Sequence, residues 1–290
     1  MPVEQSLREG SVGDNLAPHA QSSAVLPAAL RRRGATLFYA MILPVTAAAI
    51  WQAVALMHLL PPMLFPSVGR IAATTLDTLT GYSGSSEWYS GQWYVHALAS
   101  TGRVLIGFLI GGSLGAACGM FVGMFERAHK IVDPSIQMLR PIPVVAWIPL
   151  AVAWFGIGNP PAVFLIALGT FFPTYLNARH GVRYVDPVLI RASQMLGYTS
   201  GWERFRHVVF WGALPNVFTG LRIGLGIAWI CVATAEMLAV KSGFGYMLWD
   251  SYNFLRIDLI ITGMMSIAAV GFLSDRAMLW IQRSVMTWES

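Results

Sequence analysis

The sequence is poor in charged residues. Asp, Glu, Lys and Arg make up 11% of the 290 residues, whereas hydrophobic residues make up 56%. A soluble domain carries about 25% charged residues, so the composition predicts a membrane protein. Cysteine is also scarce, because the chain holds only Cys118 and Cys231, and both lie in apolar segments. Neither a disulfide framework nor a metal site is indicated.

The sequence also lacks the motifs of several enzyme classes. It has no Gly-x4-Gly-Lys-Ser/Thr phosphate loop, no His-Glu-x2-His and no Gly-x-Ser-x-Gly. We therefore expect no metal and no cofactor, a membrane enzyme is unsupported, and any ATP must be hydrolysed by another chain. The net charge of +5 does not indicate a nucleic-acid partner, because the charges are scattered between apolar runs.

Glycine is abundant in one short stretch, where it recurs every four residues. Each glycine costs a soluble helix about 1 kcal/mol relative to alanine. Residues four apart lie on one helical face, where a second backbone can approach closely, as in membrane helix pairs. A tight helix pair in a soluble core is the alternative, which the composition disfavours. The predicted packing residues are Gly107, Gly111, Gly115, Gly119 and Gly123.

Six windows of about 20 apolar residues are long enough to cross a bilayer. They are roughly 37–60, 97–124, 138–157, 161–178, 213–240 and 257–281. Prolines interrupt 138–178, which predicts two kinked spans. Residues 1–35 are predicted to be a flexible cytoplasmic tail rather than a signal peptide, because the apolar run that follows is too long for one. Residues 36–95 would hold the first transmembrane helix and a periplasmic segment, and 96–285 the core.

Basic residues predict the orientation of these spans. Most of them fall in the segments that lie on one side of the membrane if the amino terminus is cytoplasmic. The positive-inside rule then places both termini in the cytoplasm. The longest internal segment between spans, about 179–212, becomes a cytoplasmic loop.

This loop contains two predicted short helices. The first begins at Asp186 and ends at Gly197, and the second carries Trp202, Phe205 and Val209 on one side. Such helices can lie on the bilayer surface, where nearby basic residues favour anionic head groups. They can equally form a docking site for a protein partner.

Four further segments of the sequence stand out together. They are RPIPVVAWIPLAVAWFGIG at 140–158, FFPTYLNARHGVRYVDP at 171–187, ALPNVFTGLRIGLGIAWICVATAEML at 213–238 and SGFGYMLWDSYNFLRIDL at 242–259. In this order they resemble the permease subunit of ATP-binding-cassette importers, in the nitrate, sulfonate and taurine branch of the type I binding-protein-dependent family. The glycine ladder resembles the early core helix of that family, so the resemblance covers about residues 96–285. It implies an all-α polytopic membrane protein of about six transmembrane helices with a MetI-like core.

The resemblance implies that the cytoplasmic loop couples the chain to an ATPase. The family pattern is Glu-Ala-Ala, three residues, Gly, then nine residues before an aliphatic-x-Leu-Pro ending. Here Arg191, Ala192 and Ser193 replace Glu-Ala-Ala, the following stretch is one residue longer, and Phe210 and Trp211 replace Leu-Pro. The residues expected to couple to the ATPase are Arg191, Ala192, Gly197, Trp202 and Glu203.

The resemblance also implies partners, a location and a substrate class. The partners are cytoplasmic ATP-binding subunits, a second permease copy in a homodimer, a periplasmic substrate-binding protein and the lipid of a bacterial inner membrane. The substrate would be a small anion such as nitrate, a sulfonate or taurine. Related permeases carry bicarbonate or neutral and cationic cofactor precursors.

An ion-coupled secondary transporter is the alternative function, and it needs ionisable groups within the membrane. Only Glu236 lies well inside a predicted span, and it can instead be a structural acceptor bonded to a hydroxyl such as that of Thr234. Glu236 and Arg222 are both candidates for the pathway or for gating, although Arg222 can instead reach the membrane interface. Trp147 and Pro143 are further pathway candidates, although a Trp can anchor or pack and a Pro can simply set a bend.

Overall fold

The computed structural model describes residues 25–57, 61, 63–84, 89–198 and 200–287, which form eleven α-helices and no strand. The chain divides into two units, Met1–Leu59 and Leu60–Ser290. The first unit contains α1 (Val25–Leu56), within which Ile42–Leu56 is an apolar helix shorter than 18 residues.

Part of the predicted flexible tail is helical. Within the predicted tail of residues 1–35, the stretch from Val25 onward forms the start of α1, where Ala, Leu and Arg are strong helix formers. Residues 1–24 lie outside the described residues. The span predicted at 37–60 overlaps α1, and residues 58–60 also lie outside the described part of the chain.

The second unit carries the remaining ten helices. They are α2 (Val68–Thr80), α3 (Trp93–Met124), α4 (Glu126–Leu139), α5 (Ile148–Phe155), α6 (Asn159–Arg183), α7 (Pro187–Met195), α8 (Gly201–Arg204), α9 (Phe210–Ala239), α10 (Phe244–Asn253) and α11 (Ile257–Val285). A π-helical turn, Phe205–Val209, joins α8 to α9. Four helical stretches are long and apolar enough to cross a membrane: Trp93–Met124, Asn159–Arg183, Gly201–Ala239 and Ile257–Val285.

The span predicted at 138–157 is sharply bent. Helix α4 and the stretch Val144–Phe155 meet at 88°, so that within the described residues the chain has four spans, or five if this pair counts as one. Pro141 and Pro143 lie in the break. A proline lacks an amide hydrogen and disfavours the helical conformation of the residue before it, so the helix cannot continue through this sequence.

Helix α6 lies between α3 and α9. A Cβ atom added at Gly107 would meet Ile166, one at Gly115 would meet the Phe171 carbonyl oxygen, and both contacts would be shorter than 3.0 Å. The contacts advance along both helices together, so α3 and α6 are parallel. Helix α9 runs antiparallel to α6. Two of its glycines face α6: Gly220 packs near Thr174, and Gly224 packs near Thr170.

Two ends of this helix group are used below as reference points. The α7 end is where α3 and α6 finish and α9 begins. The α10 end is the opposite one, where α9 finishes and α10 and α11 begin.

Candidate functional site

Helix α7 presents apolar side chains outward at the α7 end. Asp186 caps the helix, since its carboxylate accepts a hydrogen bond of 2.7 Å from the Val188 amide, which confirms the predicted start. The exposed fractions of Met195 and Leu196 are 89% and 78%. Exposed apolar side chains on a short helix are typical of a surface that another molecule covers.

The predicted coupling residues lie on α7, directly after it and on α8. Gly197 follows the helix with a φ of 89°, a conformation that favours glycine. Arg191, Ala192 and Glu203 are exposed, and Trp202 stacks on Phe205 with ring centroids 5.6 Å apart.

The extra residue in the coupling motif coincides with the π-helical turn. The Phe210 amide donates to the Phe205 carbonyl, five residues earlier, instead of the usual four. A π turn accommodates one additional residue within a continuous helix. The path from α8 into α9 therefore continues as one helix despite the longer sequence.

The bend between α4 and α5 holds the two other predicted pathway residues. Pro143 is exposed and directly precedes a 3₁₀ turn, Val144–Trp147. Trp147 is half-buried and packs against the apolar cluster that contains Ile148 and Ala151. An apolar cavity of about 200 Å³ lies beside this turn, between it and α9, but neither Pro143 nor Trp147 lines it.

Glu236 is fully buried in an ion pair. Its Oε1 atom lies 2.6 Å from Nη1 of Arg103, and its Oε2 accepts hydrogen bonds of 2.9 Å from the Ser100 hydroxyl and the Gly245 amide. The expected bond to Thr234 is wrong, because that hydroxyl donates to the Ile230 carbonyl of its own helix. The carboxylate thus connects α9 to α3 and to the start of α10.

Arg103 extends this buried network to two further segments. Its Nε donates to Asn159 at the start of α6 over 2.8 Å, and its Nη2 donates to the Ser242 hydroxyl over 2.6 Å. Gly243 lies against the Glu236 carboxylate, so a side chain at this position would collide with it. The network therefore fixes the α10 end of three long helices.

A second cluster fixes α4 to α6. The Tyr175 hydroxyl donates to Asp133 over 2.9 Å, and Arg179 pairs with the same carboxylate. Arg183 and Glu126 form an ion pair of 3.2 Å nearby. These contacts hold the polar helix α4 at the α7 end of the core.

Arg222 is held by a residue that the sequence reasoning did not single out. Its Nε and Nη2 atoms donate to the two carboxylate oxygens of Asp275 in α11, at 2.6 and 2.9 Å. Both residues line a groove of about 340 Å³ between α9 and α11. Sequence reasoning also missed Arg103 as the partner of Glu236. The available signal in both cases was an unmatched charge within an apolar segment.

The α10 end carries polar surface groups on α2 and the loop that follows. Hydrogen bonds from the Ser83 amide and the Ser90 hydroxyl hold the pKa of Asp77 below its usual value. Burial and a hydrogen bond to Asp250 raise the pKa of Tyr89 above its usual value. Asp77 is therefore ionised and Tyr89 neutral near neutral pH.

No group of three His, Cys, Asp or Glu side chains within the described part of the chain is arranged to hold a metal ion. The charged side chains described above form ion pairs, accept hydrogen bonds from neighbouring polar groups or are exposed.

Comparison with known proteins identifies relatives over most of the chain. Residues 107–287 match the family described as binding-protein-dependent transport system inner membrane component. The chain is 37% identical to the Escherichia coli K12 protein whose name describes it as an aliphatic sulfonates transport permease, SsuC, over 85% of this chain and 90% of the relative. It is 34% identical to the taurine transport system permease protein TauC of the same strain, over 82% and 85%.

A solved structure has the same fold. A chain from inward-facing conformations of the MetNI methionine ABC transporter superposes with a TM-score of 0.58 and 18% identity. The match covers 67% of this chain and 96% of that one. At this identity the match concerns the fold alone.

Proposed function

Because the chain belongs to the family of binding-protein-dependent transport system inner membrane components, we propose that it imports a small sulfonate or nitrate, using ATP hydrolysed by separate subunits. In this proposal the α7 end faces the cytoplasm of a bacterial inner membrane, both termini are cytoplasmic, and a periplasmic binding protein delivers the substrate at the α10 end. The substrate class follows the names of SsuC and TauC and the resemblance to nitrate permeases.

The exposed apolar surface of α7 is the observation that carries the ATPase partnership. Met195 and Leu196 would be costly to leave in water, and burying each side chain fully would contribute about 1.5–3 kcal/mol. The α7 surface therefore fits a partner that covers it permanently. Arg191 and Glu203 add charges of both signs around this surface, which would set the register of the partner.

Movement at α7 would be transmitted directly to the core. Helix α7 follows α6 after three residues, and α8 continues through the π-helical turn into α9. When two ATP-binding subunits close, a push on α7 would tilt α6 and α9 together. In the proposed cycle, this tilt of the two helices closes the route to the cytoplasm and opens it to the periplasm.

The route would lie between two copies of the chain. Five residues on one side of α9 remain exposed in the single chain, while α6 and α3 cover its other side. They are Thr219, Arg222, Ile223, Gly226 and Ile230. A second copy with its own α9 opposite this surface would enclose a passage without exposing Arg222 to lipid.

The ATPase partnership is tested by purifying the tagged chain from native membranes in a mild detergent. We expect a nucleotide-binding subunit to co-purify in a 1:1 ratio and the eluate to hydrolyse ATP. Met195→Asp should remove this subunit, whereas Tyr82→Asp, at an exposed loop position outside the spans and outside the α7 surface, should leave the ratio unchanged.

Two results would contradict the proposal. The first is a chain that purifies without any nucleotide-binding subunit. The second is transport by the isolated chain in vesicles driven only by an ion gradient, which would identify a secondary transporter.

A further inference from the structure

The ion pair between Arg222 and Asp275 is half-exposed, although both residues belong to membrane-spanning helices. The exposed fractions of the two side chains are 45% and 33%. Both guanidinium-to-carboxylate contacts are short, at 2.6 and 2.9 Å. A charged pair that is half-exposed within membrane-spanning helices needs polar surroundings or a further molecule that covers it.

The pair lies well inside the span. Gly220 packs near Thr174 and Gly224 near Thr170, so Arg222 lies at the level between these two threonines of α6. Arg179 begins the charged part of α6, about seven residues further along the helix, which corresponds to about 10 Å. A lipid-facing ion pair at this depth would be strongly unfavourable, and intramembrane charges normally face a bundle interior or a water-filled cavity.

The groove beside the pair has apolar walls and an excess of positive charge. Leu225, Trp229 and Ile267 form part of its lining. Arg276 lies over the Phe272 ring, 4.8 Å from its centroid, directly next to Asp275 in the sequence. Arg276 does not line the groove, but together with Arg222 and Asp275 it gives this region of the protein a net positive charge.

A small oxyanion would bind Arg222 with the same two-point geometry that Asp275 uses. A guanidinium group donates two parallel hydrogen bonds to two oxygens of one group, and carboxylate, sulfonate and nitrate all present such oxygens. Asp275 already occupies this position on Arg222. A substrate oxyanion can replace it without leaving the arginine unpaired, because one two-oxygen partner is exchanged for another.

We propose that Arg222 is a relay site for small oxyanions within the route and that Asp275 is the counter-ion that occupies it between transport events. This inference rests on the proposed function, since it assigns a binding step to the same route. The substrate class is an anion with at least two oxygens on one atom, which includes sulfonates and nitrate. The surplus charge of Arg276 favours entry of the anion while Asp275 is displaced.

A cysteine reporter beside Arg222 tests this assignment without knowledge of the natural substrate. Gly226 lies one turn from Arg222 in the same groove and has open space for a side chain. Gly226→Cys is introduced in a Cys118→Ala/Cys231→Ala background, and the complex is placed in lipid nanodiscs. Its modification rate is measured with sulfonatoethyl methanethiosulfonate, which is an anion, and with the trimethylammonium ethyl analogue, which is a cation.

We expect the anionic reagent to react about tenfold faster than the cationic one, because charge in a narrow site changes local reagent concentration by this order. In Arg222→Gln/Asp275→Asn the ratio should fall to about one, since Arg222 no longer attracts the anion. Tyr82→Cys, exposed on the loop that follows α2 and outside the spans, is the matched control, and its ratio should not respond to the double substitution. If the double variant does not assemble, Arg222→Lys is used, which retains the charge and should keep the ratio high.

Three results would overturn the assignment. A Gly226→Cys protein whose new thiol reacts with neither reagent would mean that lipid or a second copy seals the groove. Equal reaction rates of the anionic and the cationic reagent in the protein that retains Arg222 would mean that the groove is open but does not favour anions. A ratio near one in Arg222→Lys would mean that the positive charge at position 222 does not cause the preference for the anionic reagent. All three leave the proposed importer intact, because the same nanodiscs show independently whether an ATP-binding subunit is present.

Discussion

At the residue scale, Glu236 shows how one buried charge determines the arrangement of distant segments. Its partner Arg103 lies 133 positions earlier in the chain, and neither side chain reaches water. Two carboxylate oxygens receive bonds from a guanidinium, a hydroxyl and a backbone amide. Such complete pairing is what makes a buried charge tolerable.

Glu236→Gln should destabilise the protein by about 3–5 kcal/mol, because it leaves Arg103 buried without a counter-charge. The measurement is the apparent melting temperature of the detergent-solubilised protein, followed by size-exclusion fluorescence of a tagged chain. Arg103→Gln/Glu236→Gln should recover part of the loss, since neither charge then remains buried.

Lys241→Gln is the control for this experiment, because Lys241 is exposed next to the network and its loss should leave the melting temperature unchanged. A Glu236→Gln protein as stable as the native one would contradict a structural role for the ion pair.

Sequence reasoning found the charges at this scale but not their pairing. Glu236 and Arg222 stand out because each lies in an apolar run. Their partners, Arg103 and Asp275, lie 133 and 53 positions away. Pairing between residues so far apart in the sequence depends on how the helices pack, and a local sequence pattern does not reveal that packing.

At the element scale, the glycine ladder explains why α3 and α6 pack closely. A Cβ atom at Gly115 would lie 2.6 Å from the Phe171 carbonyl oxygen, and one at Gly119 would approach the Tyr175 carbonyl more closely still. The atoms that would be displaced belong to the α6 backbone, which cannot move without moving the helix. The face was recognisable from spacing alone, whereas the partner helix and its parallel direction were not.

Gly115→Leu should separate α3 from α6 and cost about 3 kcal/mol, the upper end of the range for overpacking, because backbone atoms oppose the new side chain. The amount of correctly folded protein in the membrane is measured by size-exclusion fluorescence. Gly102→Leu in the same helix is the matched control, since nothing lies within 4 Å of a Cβ atom there. Equal yields of the two variants would reject the ladder as a packing face.

The polar helices were predicted least well. Helix α4 holds Glu126, Lys130 and Asp133, so a search for apolar windows passes over it. The prolines at 141 and 143 predicted a kink but not its size of 88°, nor the ion pairs that hold α4 against α6. The π-helical turn was visible only as an extra residue in the motif.

Arg191→Glu on α7 should change the coupling between ATP hydrolysis and transport while leaving the protein in the membrane. The substitution reverses a charge on an exposed surface that we propose to be an interface, and like charges placed in contact cost several kcal/mol. The ratio of ATP hydrolysed to substrate transported is compared with that of Arg191→Lys, which keeps the charge. Unchanged partner binding and unchanged hydrolysis would make Arg191 an ordinary surface residue.

At the scale of the whole molecule, the second unit combines a stiff core with two differently built ends. Close packing of α3, α6 and α9 and the Glu236 network favour movement of these helices as a group. The α7 end carries the exposed Met195 and Leu196 on and directly after a short helix, whereas the α10 end carries the hydrogen-bonded groups of Asp77 and Tyr89 together with exposed apolar side chains such as Leu255. In the proposed function, the first end receives a mechanical push and the second receives the solute.

Composition predicted the membrane class, and the order of the four sequence segments predicted the family. The number of spans was predicted less well. Six apolar windows were predicted to be spans, whereas the described residues contain four helices that are long and apolar enough to cross a membrane, or five spans if the bent pair counts as one. In the proposed function, the identity of the solute depends on a separate binding protein as well as on this chain.

ATP-driven import is tested most directly by uptake into liposomes that contain the complex purified from native membranes. Radiolabelled taurine and nitrate are supplied with the co-purified or genomically adjacent binding protein, and ATP is enclosed in the lumen. We predict uptake that requires ATP on the side of the α7 surface and disappears with Met195→Asp. Uptake that persists without ATP and follows an imposed ion gradient would contradict the account.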